Sequence, residues 1–284
     1  MRVGLIDIDS KIPNLALMKW SAYAKKEGYD VELTAPIFAD QYDIVIASKV
    51  FDFTPMPILP DRAVVGGTGF DLKKKLPEEA EGLYPDYSLY DCDYAVGFTT
   101  RGCNRRCPFC IVPKAEGKFR VVGDIYNFWD GQEKLMLLDN SLNTDEDHFL
   151  MICDQLTRNK IKTDFSQGLD IRYLTDVQAM ALKKVPLWKQ IHFAWDSMST
   201  ERAVEKGIHI LERYNLRHKS MFYVLIGYDT TQDEDLYRVN MLKGWGVDPF
   251  VMPYNKFDNY QRNFARWVNH KAIFKSVPWK EYRV

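Results

Sequence analysis

Short apolar runs separated by helix-like stretches recur along the whole chain. Residues 3–7 form the first run. Pro13 then opens a stretch with apolar positions at Leu17, Trp20 and Ala24 that closes at Gly28. Proline near the start and glycine past the end is the order expected of a helix. Residues 29–33, 44–47 and 63–65 read as further short strands. Residues 1–66 therefore predict a small Rossmann-like α/β domain with a parallel sheet. Residues 67–93, with Gly67, Gly69, Pro77, Gly82 and Pro85, read as a connection. Gly66-Gly67-Thr68-Gly69 lacks the pattern of a dinucleotide fingerprint and reads as a turn.

A longer alternation follows over residues 94–254. Apolar runs stand at 94–99, 135–138, 162–166, 191–195, 221–226 and 247–252, with helical patterns clearest at 144–157, 175–184, 200–214 and 233–245. Several helices open on Thr or Asp before acidic residues, which suits N-caps and the positive end of the helix dipole. Strands alternating with helices predict parallel βα units. The predicted fold class is α/β, a partial (β/α)6 TIM-type barrel preceded by the small Rossmann-like domain. Residues 255–284 read as a basic and aromatic C-terminal helix and tail.

Composition narrows the class. The chain has 284 residues, 46% of them hydrophobic and 27% charged, as in ordinary soluble globular proteins. A formal charge of −1 gives no overall drive toward nucleic acid or acidic membrane. The opening apolar run is too short for a signal peptide or a membrane span, so a cytoplasmic location is expected. Five cysteines are an odd set, and Cys103, Cys107 and Cys110 fall within one short segment. A disulfide framework spreads an even number along a small secreted chain, so this clustering points to reduced thiols and metal chemistry. Cys92 and Cys153 stand alone, and Cys153 reads as a small core residue. The five histidines show no metal-pair spacing, and no Ser–His–Asp set or phosphate-cradling loop is visible.

The run Arg101-Gly102-Cys103-Asn104-Arg105-Arg106-Cys107-Pro108-Phe109-Cys110 directly follows the first strand of the second alternation. Gly102 and Pro108 disfavour a continuous helix, which lets the chain loop around a compact object. Thiolates suit both iron–sulfur clusters and zinc. The count of three favours the cluster, because structural zinc takes four closed ligands and no second pair of cysteines exists. The spacing C-x₃-C-x-aromatic-C after the first strand of a βα barrel resembles the signature of the radical S-adenosylmethionine superfamily. Its flanks, with Cys107-Pro108-Phe109-Cys110-Ile111-Val112-Pro113, are most similar to the branch of methylthiotransferases and cobalamin-domain enzymes. The resemblance implies a [4Fe–4S] cluster on Cys103, Cys107 and Cys110 whose open iron chelates S-adenosylmethionine. It further implies a one-electron reductant of flavodoxin or ferredoxin type and a 5′-deoxyadenosyl radical that abstracts hydrogen from substrate.

In a βα barrel the reactive groups sit where strands end. Here those ends carry Asp139-Asn140-Ser141, then Gln167, Asp170 and Arg172, then Asp196-Ser197, then Gly227-Tyr228-Asp229. Taken singly, each also reads as a turn residue or cap. The resemblance places Asp139, Asn140 and Ser141 where the family meets the methionine amino group, and Asp196 toward the ribose or methionine end. It places Phe109 and Gly227 beside the adenine and Met252 where it would close the pocket. Arg172 reads as a partner for a cofactor or substrate carboxylate, or as a surface ion pair. No catalytic residue is assigned.

Two features separate the chain from the branch it most resembles. Only Cys92 precedes the motif, so no auxiliary cluster on three N-terminal cysteines can form. The first histidine is His148, so no N-terminal histidine can ligate cobalt. An enzyme of unidentified substrate is therefore expected, with a cobalamin-dependent methyltransferase and a non-catalytic iron–sulfur or zinc-stabilised nucleic-acid-binding protein as the alternatives. The stretch from residue 254 to 284 has seven Lys/Arg against two acids, interleaved with aromatics, a pattern that can grip RNA.

Overall fold

A computed structural model describes residues 1–282. The chain starts with β1 (Arg2–Asp7), crosses over through α1 (Leu15–Lys26) to β2 (Asp30–Leu33), and returns through β3 (Ile44–Ser48) and β4 (Val64–Gly66). These strands form one parallel sheet in the order β2-β1-β3-β4. Helix α1 starts where the Asn14 side chain accepts the Leu17 N–H, which satisfies a first-turn donor. Its Leu17 and Ala24 then pack on Val3, Leu5 and Ile46 of the sheet. The connection wraps over α1 through α2 (Glu78–Glu81), and Asp86 takes the Ser21 hydroxyl at 2.5 Å and the Lys25 ammonium at 2.7 Å.

The second series opens with β5 (Tyr94–Gly97). The loop after it closes as a two-stranded antiparallel ribbon, β6 (Thr100–Arg101) with β7 (Arg120–Val121), around the single turn α3 (Val112–Ala115). Then come β8 (Lys134–Leu137), α4 (Glu146–Arg158), β9 (Lys162–Phe165), α5 (Asp176–Leu182) and β10 (Ile191–Ala194). The series ends with α6 (Glu201–Arg213), β11 (Ser220–Ile226), α7 (Gln232–Gly244), β12 (Asp248–Pro253), α8 (Asn259–Asn269) and α9 (Lys271–Ser276). No long helix joins β5 to β8; the cysteine loop stands in its place, a departure from strict strand–helix alternation.

The strands form two parallel sheets, β5-β8-β9 and β10-β11-β12. They adjoin along β9 and β10, where Leu169 N–H donates to His192 C=O at 2.8 Å and Trp188 N–H to Thr163 C=O at 2.9 Å. The period of two separates the faces. Outward residues Leu135, Leu137, Phe165, Phe193, Phe222 and Val251 pack under the helices in one core. On β11 the alternate residues Met221, Tyr223 and Leu225 are half-buried on the inner face. That inner face is covered on one side only: Met18 of α1 packs on Val96 and Met136, while Phe250 and Met252 are 39% and 45% exposed.

Helix starts follow the expected caps at Asp145, Thr175 and Thr231, whose side chains accept from His148, Gln178 and Glu234 N–H. Helix α6 starts after Thr200 without a side-chain cap bond. Apart from Tyr254 and Phe257, which are 55% and 90% exposed, the aromatics of the C-terminal stretch are not a surface row. Phe264, Trp267 and Phe274 are buried, and Trp279 meets both Phe264 and Trp267 ring to ring at 5.1 and 5.4 Å. Basic and aromatic interleaving is here the pattern of an amphipathic helix whose apolar side seals the core, which removes these rings as a stacking platform. Of that stretch, Arg283 and Val284 lie outside the described residues. Among the described residues no helix is long and apolar enough to cross a membrane.

Candidate functional site

The cysteine loop stands on a buried polar base. Asp139, just past β8, accepts from Thr99 N at 3.1 Å, Thr99 Oγ1 at 2.8 Å, and Thr100 N and Oγ1 at 2.6 Å each. The Thr99 hydroxyl gives its proton to Asp139, so His148 Nε2, 3.1 Å away, is the donor to Thr99. Burial pushes the Asp139 carboxyl up, against the pull of those donors, and pushes the His148 imidazole down. The expectation of Asp139 as a group facing a ligand is corrected here: its carboxylate turns inward and ties the start of the loop to β8. Ser141 is likewise buried, bonded to Thr144 Oγ1 at 2.7 Å.

Glu116 closes the loop from the other side. Its Oε2 accepts from Gly102 N at 2.8 Å and from Asn140 Nδ2 at 3.0 Å, and Arg101 Nε lies 3.5 Å away. Gly102 sits at φ +74°, and a Cβ there would lie 2.3 Å from the Lys118 carbonyl oxygen. Only glycine permits that crossing of chains. Asn140 is thus at the rim of the loop, held by an acid that lies within the loop itself.

All three thiols of Cys103, Cys107 and Cys110 are half-buried, and the Arg105 N–H points at Cys103 Sγ at 3.4 Å. Among the described residues no three His, Cys, Asp or Glu side chains converge as they would on a single metal ion. Cys92 is half-buried with Sγ 3.5 Å from Tyr94 C=O, and Cys153 is buried in the core. Neither joins the three.

Charged groups face the thiols from the ends of β9 and β10. Burial pushes the Cys107 thiol up; Arg172 pulls it back and Asp196 raises it further. Arg172, read as a partner for a ligand carboxylate or as an ion pair, is ion-paired in the structure. It binds Asp170 through Nε at 2.7 Å and Nη2 at 2.8 Å. Asp170 also takes Arg105 Nε at 3.1 Å, and Arg105 lies 4.5 Å over the Tyr173 ring. Burial draws the Asp170 carboxyl up, but the two guanidiniums outweigh it and hold it low. Two cations share one anion, and Asp196 is a second carboxylate facing Cys107.

Asp196, half-buried at the end of β10, accepts from Leu225 N at 3.0 Å, and burial pushes its carboxyl up. Arg238 of α7 fixes the same region from beneath. Fully buried, it donates to Trp195 C=O at 2.7 Å, to Leu225 C=O at 2.9 Å and to Asp235 at 2.6 Å. Gly227 turns the chain after β11 at φ +75°, where a Cβ would lie 2.2 Å from the Gln261 side chain. An aromatic wall completes the mouth: Phe109 meets Tyr228 edge to face at 5.4 Å, and Tyr228 meets Tyr254 at 4.9 Å. Met252 stands below on the open inner face. Glu116, Arg238 and Tyr254 were not singled out from sequence. Tyr254 follows the sixth strand directly, so the strand-end rule extends to it; no sequence signal marks the other two.

No family model matches the chain. A ribosomal protein uS12 methylthiotransferase RimO of Nitrosomonas europaea is 32% identical over 109 residues, 36% of this chain and 22% of its own length. A tRNA-2-methylthio-N(6)-dimethylallyladenosine synthase of a Sulfurihydrogenibium species is 26% identical over 139 residues, 46% of this chain and 30% of its own length. The chain thus spans less than a third of these curated relatives. In fold it is similar to the radical S-adenosylmethionine methyltransferase TsrM of Kitasatospora setae, solved with cobalamin and a [4Fe–4S] cluster. That likeness has a TM-score of 0.64 at 13% identity and covers 89% of this chain and 74% of that one. The superfamily resemblance carried by the cysteine motif is borne out: its relatives are the methylthiotransferases, and its structural neighbour is a radical enzyme of the same superfamily.

Proposed function

We propose that the chain is a radical S-adenosylmethionine enzyme acting at the carboxyl edge of β5 and β8 to β12, six strands that we read as an open barrel behind a small Rossmann-like unit. The single observation that carries this reading is the placement of three half-buried thiols on one loop, facing Asp196, Arg172 and the Phe109–Tyr228 pair. Cys103, Cys107 and Cys110 would hold a [4Fe–4S] cluster and leave one iron for S-adenosylmethionine. Bound there, the cluster supplies one-electron cleavage of the sulfonium, which yields methionine and a 5′-deoxyadenosyl radical.

The residues of the chain then have distinct tasks. Asp139, with Thr99 and Thr100, fixes the base of the loop. Arg105 and Arg172, sharing Asp170, offset the charge of the thiolates. Phe109, Tyr228 and Tyr254 offer ring faces and edges to an adenine, and the Gly227 turn lets its backbone approach closely. Asn140 and Asp196 stand at the rim for the polar groups of the ligand. Met252 and Phe250 line the open inner face, where a substrate would lie and from which water would be displaced.

The test is anaerobic reconstitution with iron and sulfide, followed by reductant and S-adenosylmethionine. Release of 5′-deoxyadenosine is expected. One zinc per chain, no retained iron and no cleavage would leave only a structural metal site. Cobalamin-dependent methyl transfer is a second reading, because the structural neighbour holds cobalamin. On this chain the edge of the first sheet is filled by its own groups: Tyr90 Oη on Asp7 at 2.7 Å, and Asn14 on Ser48 at 2.9 Å. Equilibrium dialysis against hydroxocobalamin decides it, and retention of the corrin would favour the second reading.

A further inference from the structure

Resting on the reading of the inner face as the place of the substrate, we propose that Asp164 and His192 form an acceptor site there. It takes a planar amidine-type head group, rich in N–H donors, carried on an apolar or aromatic body. Asp164 of β9 lies in register with Met136 of β8 and Val96 of β5, and Met18 of α1 covers those two. The Asp164 side chain is 1% exposed. Its Oδ2 takes Lys189 Nζ at 2.7 Å, while Oδ1 is buried and has no partner among the described residues. Only one other buried side-chain atom among them is in that condition, Gln155 Oε1 on α4. A carboxylate offers lone pairs to about four donors, and an unmet buried one costs free energy that a partner recovers.

The groups that already reach Asp164 come from the amino end of the strands. Lys189 precedes β10 and lies 4.8 Å over the Trp188 ring, which meets Tyr94 at the start of β5 at 5.1 Å. They close that end, so the way to Asp164 is from the carboxyl end, where the thiols stand.

His192 supplies a second acceptor. Its Nδ1 lies 3.2 Å from the carbonyl oxygen of Phe165, the residue after Asp164; a carbonyl only accepts, so Nδ1 carries the proton. Burial pushes the imidazole down, against the pull of Asp164, and the neutral ring leaves Nε2 bare. Among the described residues Nε2 has no hydrogen-bond partner.

Beyond His192 the face is aromatic. Tyr223 meets His192 at 5.2 Å and Phe250 at 5.9 Å. Exposure rises along this row, from 8% at His192 through half-buried Tyr223 to 39% at Phe250. The polar end is closed and the ring end open, which suits a flat body on the rings with its donor head inward. To reach Oδ1 the head turns the Tyr223 ring, whose hydroxyl bonds to no described residue. Lys189 already offsets the carboxylate, so the selection is by hydrogen-bond direction: two acceptors admit donors and refuse an acid of the same shape.

The full reconstituted chain is titrated calorimetrically, without oxygen, with benzamidine and with benzoate. The two are alike in shape, but one head only donates and the other only accepts. Wild type is compared with Asp164→Leu and His192→Phe, with circular dichroism as the check on folding. Replacing a buried ion pair by a hydrophobe of similar volume is commonly tolerated, and half-exposed Lys189 can turn to water. We expect benzamidine to bind wild type and benzoate not to, with benzamidine affinity falling about tenfold or more in Asp164→Leu and less in His192→Phe. Should Asp164→Leu not fold, His192→Phe decides alone. Benzamidine that does not bind wild type overturns the inference. So does equal affinity in wild type and the folded variants, because a trapped water is then all that meets Asp164. Benzoate bound as tightly as benzamidine overturns it too and makes Lys189 the anchor. A chain that cleaves S-adenosylmethionine but fails these titrations loses only this inference. One that binds benzamidine as expected and releases no 5′-deoxyadenosine keeps the acceptor site and loses the reading under Proposed function.

Discussion

The first sheet and the two sheets that follow are built alike, from parallel strands with helices packed on a face, yet their carboxyl edges end differently. At the first edge Asp7, Asp9 and Asn14 turn back onto the chain. Asp7 takes the Tyr90 hydroxyl and the Ser10 N–H, Asp9 takes the N–H groups of Val50 and Phe51, and Asn14 reaches Ser10 and Ser48. At the second edge the thiols of Cys103, Cys107 and Cys110, with Asp196 and Tyr228, are half-buried, and Tyr254 is 55% exposed. The same construction therefore serves two ends. One edge is consumed in joining two parts of the chain, and the other keeps half-buried thiols and an exposed ring beside groups that are already bonded.

The largest effect expected at the open edge comes from Cys107→Ala. Iron retention after reconstitution should be lost altogether, with circular dichroism and thermal midpoint close to wild type; a variant that keeps its iron would remove this cysteine from the ligand set. Next is Arg238→Met, which strips the tie between the ends of β10 and β11 and leaves Asp235 buried without its cation. Breaking a buried pair of this kind costs about 3–5 kcal/mol. Urea unfolding of the apoprotein should show it, and a loss below 1 kcal/mol would mean the strand ends hold themselves.

At the closed edge, Tyr90→Phe removes the hydroxyl from Asp7 and should cost about 1.5–3 kcal/mol, a loss typical of one hydrogen bond to a charged group. The same urea measurement reads it, and a neutral result would mean that water replaces the hydroxyl there. The smallest effect is in acid. Burial draws the Asp86 carboxyl up, but Lys25, Ser21 and Ser88 outweigh it and hold it low. A depressed carboxyl adds stability that is present above its unfolded value, about 3.9, and is lost as pH falls through the lower folded value. Wild type should therefore lose stability over that window more steeply than Asp86→Asn. Parallel slopes for the two would remove Asp86 as the clamp of the connection on α1.

These contrasts also mark what a linear reading reaches. Strands and helices were legible because each buries one face, and the period of two on β11 or the caps at Asp145, Thr175 and Thr231 are local properties of the chain. The cysteine spacing was legible for the same reason, since one loop contains it. Asp139 was misplaced because a carboxylate at a strand end reads the same whether it faces a ligand or two threonines forty residues upstream. Arg172 reads equally as a ligand's partner or an ion pair until its neighbour Asp170 is seen beneath it, pinned by Asn143 through its own N–H and C=O. Arg238 carries no signal at all, because an arginine in a helix with acidic neighbours reads as a surface residue. What escapes at Asp139 and Arg238 is a pairing between distant segments, which folding alone brings about, whereas Arg172 and Asp170 pair two residues apart.

Met18 has a place in the order in which the molecule is made. It leaves the ribosome with the first unit, long before Val96 and Met136, the strand residues it covers, exist as a surface. Until they emerge its thioether has no partner, and once they do, their inner face has one waiting. A nascent chain released after β4 would carry an uncovered methionine, and one that began at β5 would carry an uncovered half of the inner face. Either fragment would present sticky apolar surface to its neighbours in a crowded solution. The early helix thus acts as a built-in escort for the later strands, and detaching it should be felt first in solubility during synthesis.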